Sequence, residues 1–154
     1  MGVEIERKFL VAKESWRGLD GGTTYRQGYL AVDAERTVRV RTAGEKGFLT
    51  IKGTGTGLTR PEFEFAIPVA EATALLDDLC LKPLIEKVRY RIPHAGLIWE
   101  VDEFQGNNRG LILAEVELSH AEEAIVLPDW VGEEVTGDPR YYNSYLVGRP
   151  FTAW

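Results

Sequence analysis

Glu4, Glu6 and Lys8 stand at every second position of one stretch near the start of the sequence. Alternate residues of a β-strand point to the same side, so this spacing places two carboxylates and an ammonium group on one strand face. Apolar residues such as Ile5 and Phe9 take the opposite face. Carboxylates bind hard divalent cations and ammonium groups bind phosphate oxygens, so a single strand carries groups for both tasks.

The same alternation of charged and apolar residues recurs in six later stretches. A sheet with one solvated face accounts for any one of them. A solvated face accounts less well for all of these stretches together, because their charges form blocks of like sign whose members repel one another. If the sheet closes on itself, the blocks share one lumen, which suits a polyanion bound together with a divalent metal. The residues are Arg39, Arg41, Lys52, Lys87, Arg89 and Arg91 on the basic side, and Glu62, Glu64, Glu100, Asp102, Glu115 and Glu117 on the acidic side.

Eight strands are predicted, at about residues 3–11, 24–32, 37–42, 48–52, 60–67, 85–92, 97–104 and 111–118, and all but the second carry these charges. Short connections between consecutive strands predict an antiparallel sheet, and eight strands are a natural number for a closed barrel. The fold class is therefore mainly β (α+β), with a few short helices packed outside.

An apolar stripe with helical spacing predicts a helix over residues 69–79. Ser119 followed by Glu122 resembles a capping box and predicts a short helix to about Val126. Asp138 followed by Pro139 predicts a last helix, which is expected to pack on the barrel, although closing one end of its lumen is the alternative.

Composition narrows the class of protein. A chain of 154 residues predicts a single domain spanning 1–154. The net charge of −6 argues against nucleic-acid binding, which usually needs a basic excess. Cys80 is the sole cysteine, so neither a disulfide framework nor a cysteine-based zinc site is expected. No signal peptide or membrane-length apolar stretch is evident, so we expect a cytoplasmic protein without a membrane partner.

The motif Glu4-Ile5-Glu6-Arg7-Lys8 matches the Glu-x-Glu-x-Lys signature of the CYTH superfamily, the triphosphate tunnel metalloenzymes. The later charged pairs and the segment from Asp138 to Asn143 extend the similarity along the whole chain. The sequence therefore resembles this superfamily over its full length, with no departure in the charged pattern.

The resemblance implies an eight-stranded antiparallel barrel whose tunnel binds a triphosphate together with Mg²⁺ or Mn²⁺. It implies phosphate contacts by Lys8, Arg39, Arg41, Lys52, Lys87 and Arg89. It implies metal binding by Glu4, Glu6, Glu115 and Glu117, with support from the tunnel carboxylates Glu62, Glu64, Glu100 and Asp102. The expected catalytic residues are Glu4, Glu6, Lys8 and Lys87.

Members of the superfamily include inorganic, thiamine and RNA triphosphatases as well as adenylyl cyclases. This compact chain lacks the His-Phe that precedes the signature in cyclase-type members, and it is most similar to the short bacterial tripolyphosphatases. The expected reaction is metal-dependent hydrolysis of the terminal phosphate of inorganic tripolyphosphate. The alternatives are an adenylyl cyclase, a nucleoside or thiamine triphosphatase, and a non-catalytic polyphosphate-binding module. The expected partner is a small-molecule triphosphate, and the outward apolar strand faces are compatible with a homodimer.

Overall fold

The computed structural model describes residues 2–54 and 59–154, without the side chains of residues 2–4 and 59. The Glu4 side chain, predicted to bind metal and to take part in catalysis, lies outside the described part, and only its backbone is placed. None of the helices in the described ranges is long and apolar enough to cross a bilayer.

Nine strands are present in the described ranges. They are β1 (Gly2–Val11), β2 (Thr23–Val32), β3 (Arg36–Ala43), β4 (Lys46–Gly53), β5 (Thr59–Ile67), β6 (Ile85–His94), β7 (Leu97–Phe104), β8 (Ile112–Glu117) and β9 (Val131–Glu134). The described helices are α1 (Val69–Asp78), α2 (Asn143–Gly148) and the 3₁₀ turns Gly106–Asn108, Pro139–Tyr141 and Phe151–Ala153.

The strands form one antiparallel sheet in the order β5-β4-β3-β2-β6-β7-β8-β1-β9. The first residues of β1 also pair with β5, which joins the two ends of the eight-strand run. The strands therefore surround a barrel-like tunnel, and the predicted mainly β fold with short helices is confirmed. The sequence did not predict β9, which pairs with the last residues of β1.

Two of the three apolar core clusters in the described ranges lie on the outer side of the strands. Ala72 and Leu76 of α1 are buried against Val40 of β3, so this helix covers part of the outer wall as predicted. A second cluster is built from aromatic rings, with Phe9 5.5 Å from Trp99 between ring centres. Period-2 alternation thus sends apolar residues outward and leaves the opposite faces to line the tunnel.

An apolar cluster lies beyond the charged part of the tunnel. Ile85, Phe104 and Leu113 share strand faces with the charged residues of β6, β7 and β8, and all three are buried. Leu146 and Val147 of α2 pack into the same cluster. The C-terminal helix is therefore held against the apolar part of the tunnel, which differs from the expected packing on the outside.

Two predicted helices differ from the structure. The helix over Ser119–Val126 was wrong, because the Ser119 N–H and hydroxyl both donate to Glu123 at 2.6 Å, one residue beyond the capping-box position, and the chain turns instead. Asp138 does act as a cap, since its Oδ1 accepts from the Arg140 N–H at 3.1 Å. It caps only a 3₁₀ turn, and the α-helix begins later, at Asn143.

Candidate active site

The inner strand faces enclose a cavity of about 380 Å³. Its described wall carries eight basic and six acidic side chains, so strongly charged groups of both signs meet in one space. The basic ones are Lys8, Arg39, Arg41, Lys52, Arg60, Lys87, Arg89 and Arg91, and the acidic ones are Glu6, Glu62, Glu64, Glu100, Glu115 and Glu117. The structure thus brings together every predicted phosphate-binding residue and, among the predicted carboxylates whose side chains it describes, all but Asp102.

The acidic wall is assembled by the register of three neighbouring strands. Glu6 of β1 lies directly opposite Glu117 of β8, and Lys8 lies opposite Glu115. Glu115 also lies opposite Glu100 of β7. The Lys8 Nζ atom is 3.7 Å from the Glu115 carboxylate, and the charges of neighbouring cations outweigh burial and keep the pKa of Glu115 well below its usual range. The Glu115 carboxylate is therefore ionised at neutral pH.

The donor chemistry of this wall fits a hard divalent cation. Among the described residues, no group of three or more His, Cys, Asp or Glu side chains is already arranged closely enough to hold an ion. However, Glu6 and Glu117 stand at directly opposed positions and both line the cavity, so their oxygens enter it from neighbouring strands. Oxygen-only ligands suit Mg²⁺ or Mn²⁺ better than Zn²⁺. The residues present fit such an ion.

A buried ionic cluster joins Asp102 of β7 to the basic residues Lys87 and Arg89 of β6. Asp102 is only 1% exposed and does not line the cavity. Its two oxygens accept bidentate hydrogen bonds from Arg89 at 2.7 and 2.8 Å, and the Lys87 Nζ atom is 2.7 Å from Oδ2. Burial opposes ionisation of Asp102, but the charges of Arg89 and Lys87 hold its pKa below the usual value. Asp102, predicted as a tunnel carboxylate, is placed as the counter-ion of two cavity cations.

Burial lowers the pKa of Lys87 to about 8, and the nearby Asp102 carboxylate offsets only part of this effect. In the folded protein Lys87 therefore loses its proton at a lower pH than in the unfolded chain, where its pKa is 10.5. Between these two values the unfolded chain binds more protons, so stability must rise with pH. We expect the free energy of unfolding of the wild type to rise through this window relative to that of Lys87→Met, by about 3 kcal/mol at most.

This prediction is checked by urea denaturation of both proteins at several pH values from about 7 to about 10. Parallel stability curves for the two proteins would show that Lys87 titrates as it does in the unfolded chain.

The opposite wall concentrates arginine side chains around Tyr25. The guanidinium groups of Arg41 and Arg89 lie 5.1 and 4.9 Å from the centre of its ring. Arg41 also donates to Glu64 at 3.4 Å. Burial, together with the charges of Arg39 and Arg89, lowers the pKa of Arg41. These cations repel one another, and a polyanion between them would relieve that repulsion.

The C-terminal segment contributes wall residues that sequence reasoning missed. The Lys8 Nζ atom donates to the Tyr141 carbonyl at 3.1 Å, and the Lys87 Nζ atom donates to Asn143 Oδ1 at 3.3 Å. The Tyr142 ring lies 5.2 Å from the Arg60 guanidinium. Arg60 shares strand parity with the predicted Glu62, which is a signal that could have revealed it. Asn143 ends the segment that extended the family similarity, but no strand alternation marked it as a wall residue.

The fold and the charged cavity agree with the comparison to known families, in which the CYTH domain matches residues 2–142. The chain belongs to the CYTH domain family. Two relatives named inorganic triphosphatase align over almost their whole lengths. The one from Acetivibrio thermocellus is 52% identical and covers 98% of this chain and 97% of its own. The one from Nitrosomonas europaea is 40% identical and covers 94% of this chain and 96% of its own.

Solved structures give the same result for the fold of this CYTH protein. A crystal structure of an inorganic triphosphatase matches with a TM-score of 0.68 and 37% identity, covering 96% of this chain and 95% of that one. A putative adenylyl cyclase from Hippeastrum, described as having a dominant triphosphatase activity, matches with a TM-score of 0.61 and 18% identity over 77% of this chain and 81% of that one. At that identity the second match supports the fold alone.

Proposed function

We propose that this protein hydrolyses the terminal phosphoanhydride bond of inorganic tripolyphosphate with the help of Mg²⁺ or Mn²⁺. The observation that carries the proposal is the cavity, in which eight basic side chains face an acidic wall within about 380 Å³. Phosphoryl transfer depends mainly on positioning and charge neutralisation, and this wall provides groups for both. The two relatives named inorganic triphosphatase support tripolyphosphate as the substrate.

In this proposal the phosphate chain lies among Lys8, Arg39, Arg41, Lys52, Lys87 and Arg89. The arginines bind non-bridging oxygens in pairs, because the planar guanidinium matches the geometry of phosphate. Arg39 and Arg41 come from one strand and face the same side, so they contact neighbouring oxygens of the bound anion. The lysines add charge at single points, and Arg60 and Arg91 extend the basic wall.

The metal ligands in this proposal are Glu4, Glu6, Glu115 and Glu117, supported by Glu62, Glu64 and Glu100. A bound divalent cation supplies an acidic water molecule as the nucleophile and neutralises charge on the phosphates. The side chains of Glu6 and Glu117 enter from opposed positions on two strands, so backbone pairing sets their separation. Sheet pairing is rigid, and the carboxylates are thereby held ready before the substrate arrives.

Lys8 and Lys87 take the catalytic roles for which a cation close to the reacting phosphate is needed. Lys8 is held by Glu115 and by the Tyr141 carbonyl, and its ammonium group balances charge that develops on the phosphate. With a pKa of about 8, the Lys87 amine exchanges its proton in the mildly alkaline range. Below that range Lys87 is an ammonium group, which supplies a second cation at the reacting phosphate.

The test of this proposal is phosphate release from tripolyphosphate, ATP, thiamine triphosphate and pyrophosphate, with Mg²⁺, with Mn²⁺ and with a chelator. We expect turnover of tripolyphosphate that needs the metal and exceeds turnover of the other three. Turnover of ATP in place of tripolyphosphate would favour the nucleotide alternatives, and cyclic AMP would identify a cyclase. Binding of tripolyphosphate without turnover under every condition would favour the binding module.

The assembly and the compartment stay predictions. Phe63 and Phe65 of β5 are 37% and 53% exposed on the outer side of the sheet. Such outward apolar rings support the homodimer proposed from the sequence. The cytoplasmic location likewise stays a proposal.

A further inference from the structure

Two polar side chains from different parts of the chain reach the same atom, Nζ of Lys87. The Asp102 Oδ2 atom of β7 lies 2.7 Å away, and the Asn143 Oδ1 atom of α2 accepts a hydrogen bond at 3.3 Å. Lys87 is 1% exposed, although it lines the cavity wall. An ammonium group has three N–H donors, so these contacts leave one direction for a ligand in the cavity.

Both anchors are themselves held in place. Asp102 is fixed by the bidentate hydrogen bonds from Arg89, which use both of its oxygens. Asn143 is the first residue of α2, whose Leu146 and Val147 side chains are buried in the apolar part of the tunnel. A lysine side chain is long and flexible, and two fixed partners restrict it to one orientation.

The environment of Lys87 explains why anchors are needed. The neighbouring charges are Asp102, Arg89 and Glu115, and the Phe104 ring lies 5.4 Å from Nζ. Arg89 repels the ammonium group, while the two carboxylates attract it. Without Asp102 and Asn143, this balance of charges would not fix the direction of the amine.

We propose that Asp102 and Asn143 are a pair of positioning residues that aim the Lys87 amine at the terminal phosphate. The anchoring itself follows from the contacts, whereas its effect on turnover rests on the proposed function. Asn143 lies one residue beyond the part of the chain that matches the CYTH domain, so α2 adds a component of the site outside that match. Asp102 acts through Lys87 and Arg89, because its oxygens face these cations and the residue does not line the cavity.

The test compares Asn143→Ala, Asn143→Asp and Asp102→Asn with the wild type. The matched control is Asn107→Ala, since Asn107 is exposed outside the cavity. The first readout is the mobility of the Lys87 Cε group, measured by carbon-13 relaxation in the metal-free protein with labelled lysine and assigned with Lys87→Met. We expect the order parameter of Cε to fall in Asn143→Ala, and also in Asp102→Asn, whose amide has a single acceptor oxygen for Arg89 and Lys87 together. It should be kept in Asn143→Asp, which retains an acceptor oxygen, and in the control.

The second readout is tripolyphosphate turnover with the metal present. We expect Asn143→Ala to lower kcat about tenfold with KM changed less than about twofold, because the amine is misdirected while the anion is still bound. Asn143→Asp should recover most of kcat and shift the alkaline dependence of the rate to higher pH, because an added carboxylate favours the protonated amine.

An unchanged Lys87 order parameter in Asn143→Ala would overturn the proposal that Asn143 anchors the amine. Asn143→Ala is sufficient for this test even if Asp102→Asn does not fold. A mobile Lys87 with an unchanged kcat in Asn143→Ala would also overturn the positioning role. If Lys87 becomes mobile as expected but the wild type itself does not hydrolyse tripolyphosphate, the anchoring stands and the proposed function fails.

Discussion

Replacing Glu6 and Glu117 together with glutamine is expected to lower phosphate release from tripolyphosphate by about three orders of magnitude, since a bound metal contributes several kcal/mol and each ~1.4 kcal/mol changes a rate tenfold. The two residues occupy directly opposed positions on β1 and β8 and both line the cavity. Glutamine keeps their size but removes the charge that a divalent cation needs.

The same double variant should remain folded in the metal-free state, because β1 and β8 are paired through their backbones and glutamine keeps the size of each side chain. Circular dichroism and thermal unfolding without metal test this point, and calorimetric titration with Mn²⁺ tests metal affinity. The control is the double variant Glu86→Gln with Glu103→Gln. It removes the same two negative charges from β6 and β7, at residues that do not line the cavity. Full activity of the Glu6/Glu117 variant would refute the metal assignment, and equal loss in the control would show a general effect of charge.

Arg41→Met is expected to raise the KM for tripolyphosphate about 30-fold, the effect of losing charge-assisted hydrogen bonds to phosphate. The same change should leave the thermal midpoint of the free protein unchanged or slightly raised. Arg41 is partly buried beside Arg39 and Arg89, and both this burial and the neighbouring charges disfavour its own charge. The Arg41 guanidinium lies 5.1 and 5.6 Å from the centres of the Tyr25 and Phe48 rings, and methionine fills much of the same space without the repelled charge.

Ligand-induced stabilisation gives a readout of Arg41 that does not depend on turnover. Tripolyphosphate at about 100 times the wild-type Kd should stabilise the wild type by about 2.7 kcal/mol and Arg41→Met by only about 1 kcal/mol. The control is Arg26→Met, because Arg26 points outward from the neighbouring strand β2 and pairs with Asp77 at 3.3 Å. A wild-type response in Arg41→Met would show that Arg41 does not contact the anion.

The strand pattern predicted the cavity well because the side-chain period of a strand does not depend on its surroundings. Once Arg39 and Arg41 are placed on one strand, they share a face whatever the barrel looks like. Register then follows from short hairpins, as between β6 and β7, where Ala95 and Gly96 both adopt positive φ. Charged residues on the same parity therefore met inside the barrel without any knowledge of its tilt or size.

The depth of each residue along the tunnel could not be predicted in the same way. Asp102 and Glu100 share one face of β7, yet only Glu100 reaches the cavity. The difference depends on how the strands tilt and on the bidentate contact with Arg89, which are properties of the assembled barrel. Asn143 was missed for a related reason. It reaches the cavity through the packing of α2, so it lies on no strand whose alternation could have placed it.

The pairing of β1 has a consequence for how the molecule folds. This strand is placed first in the chain, and its partners Glu115 to Glu117 come more than 100 residues later. Contacts between distant parts of a chain form slowly, because closing a long loop costs entropy before any contact rewards it. A growing chain can pair β2, β3 and β4 early, but Glu6 meets Glu117 only after β8 has been made. The acidic wall is therefore among the last parts of the molecule to form.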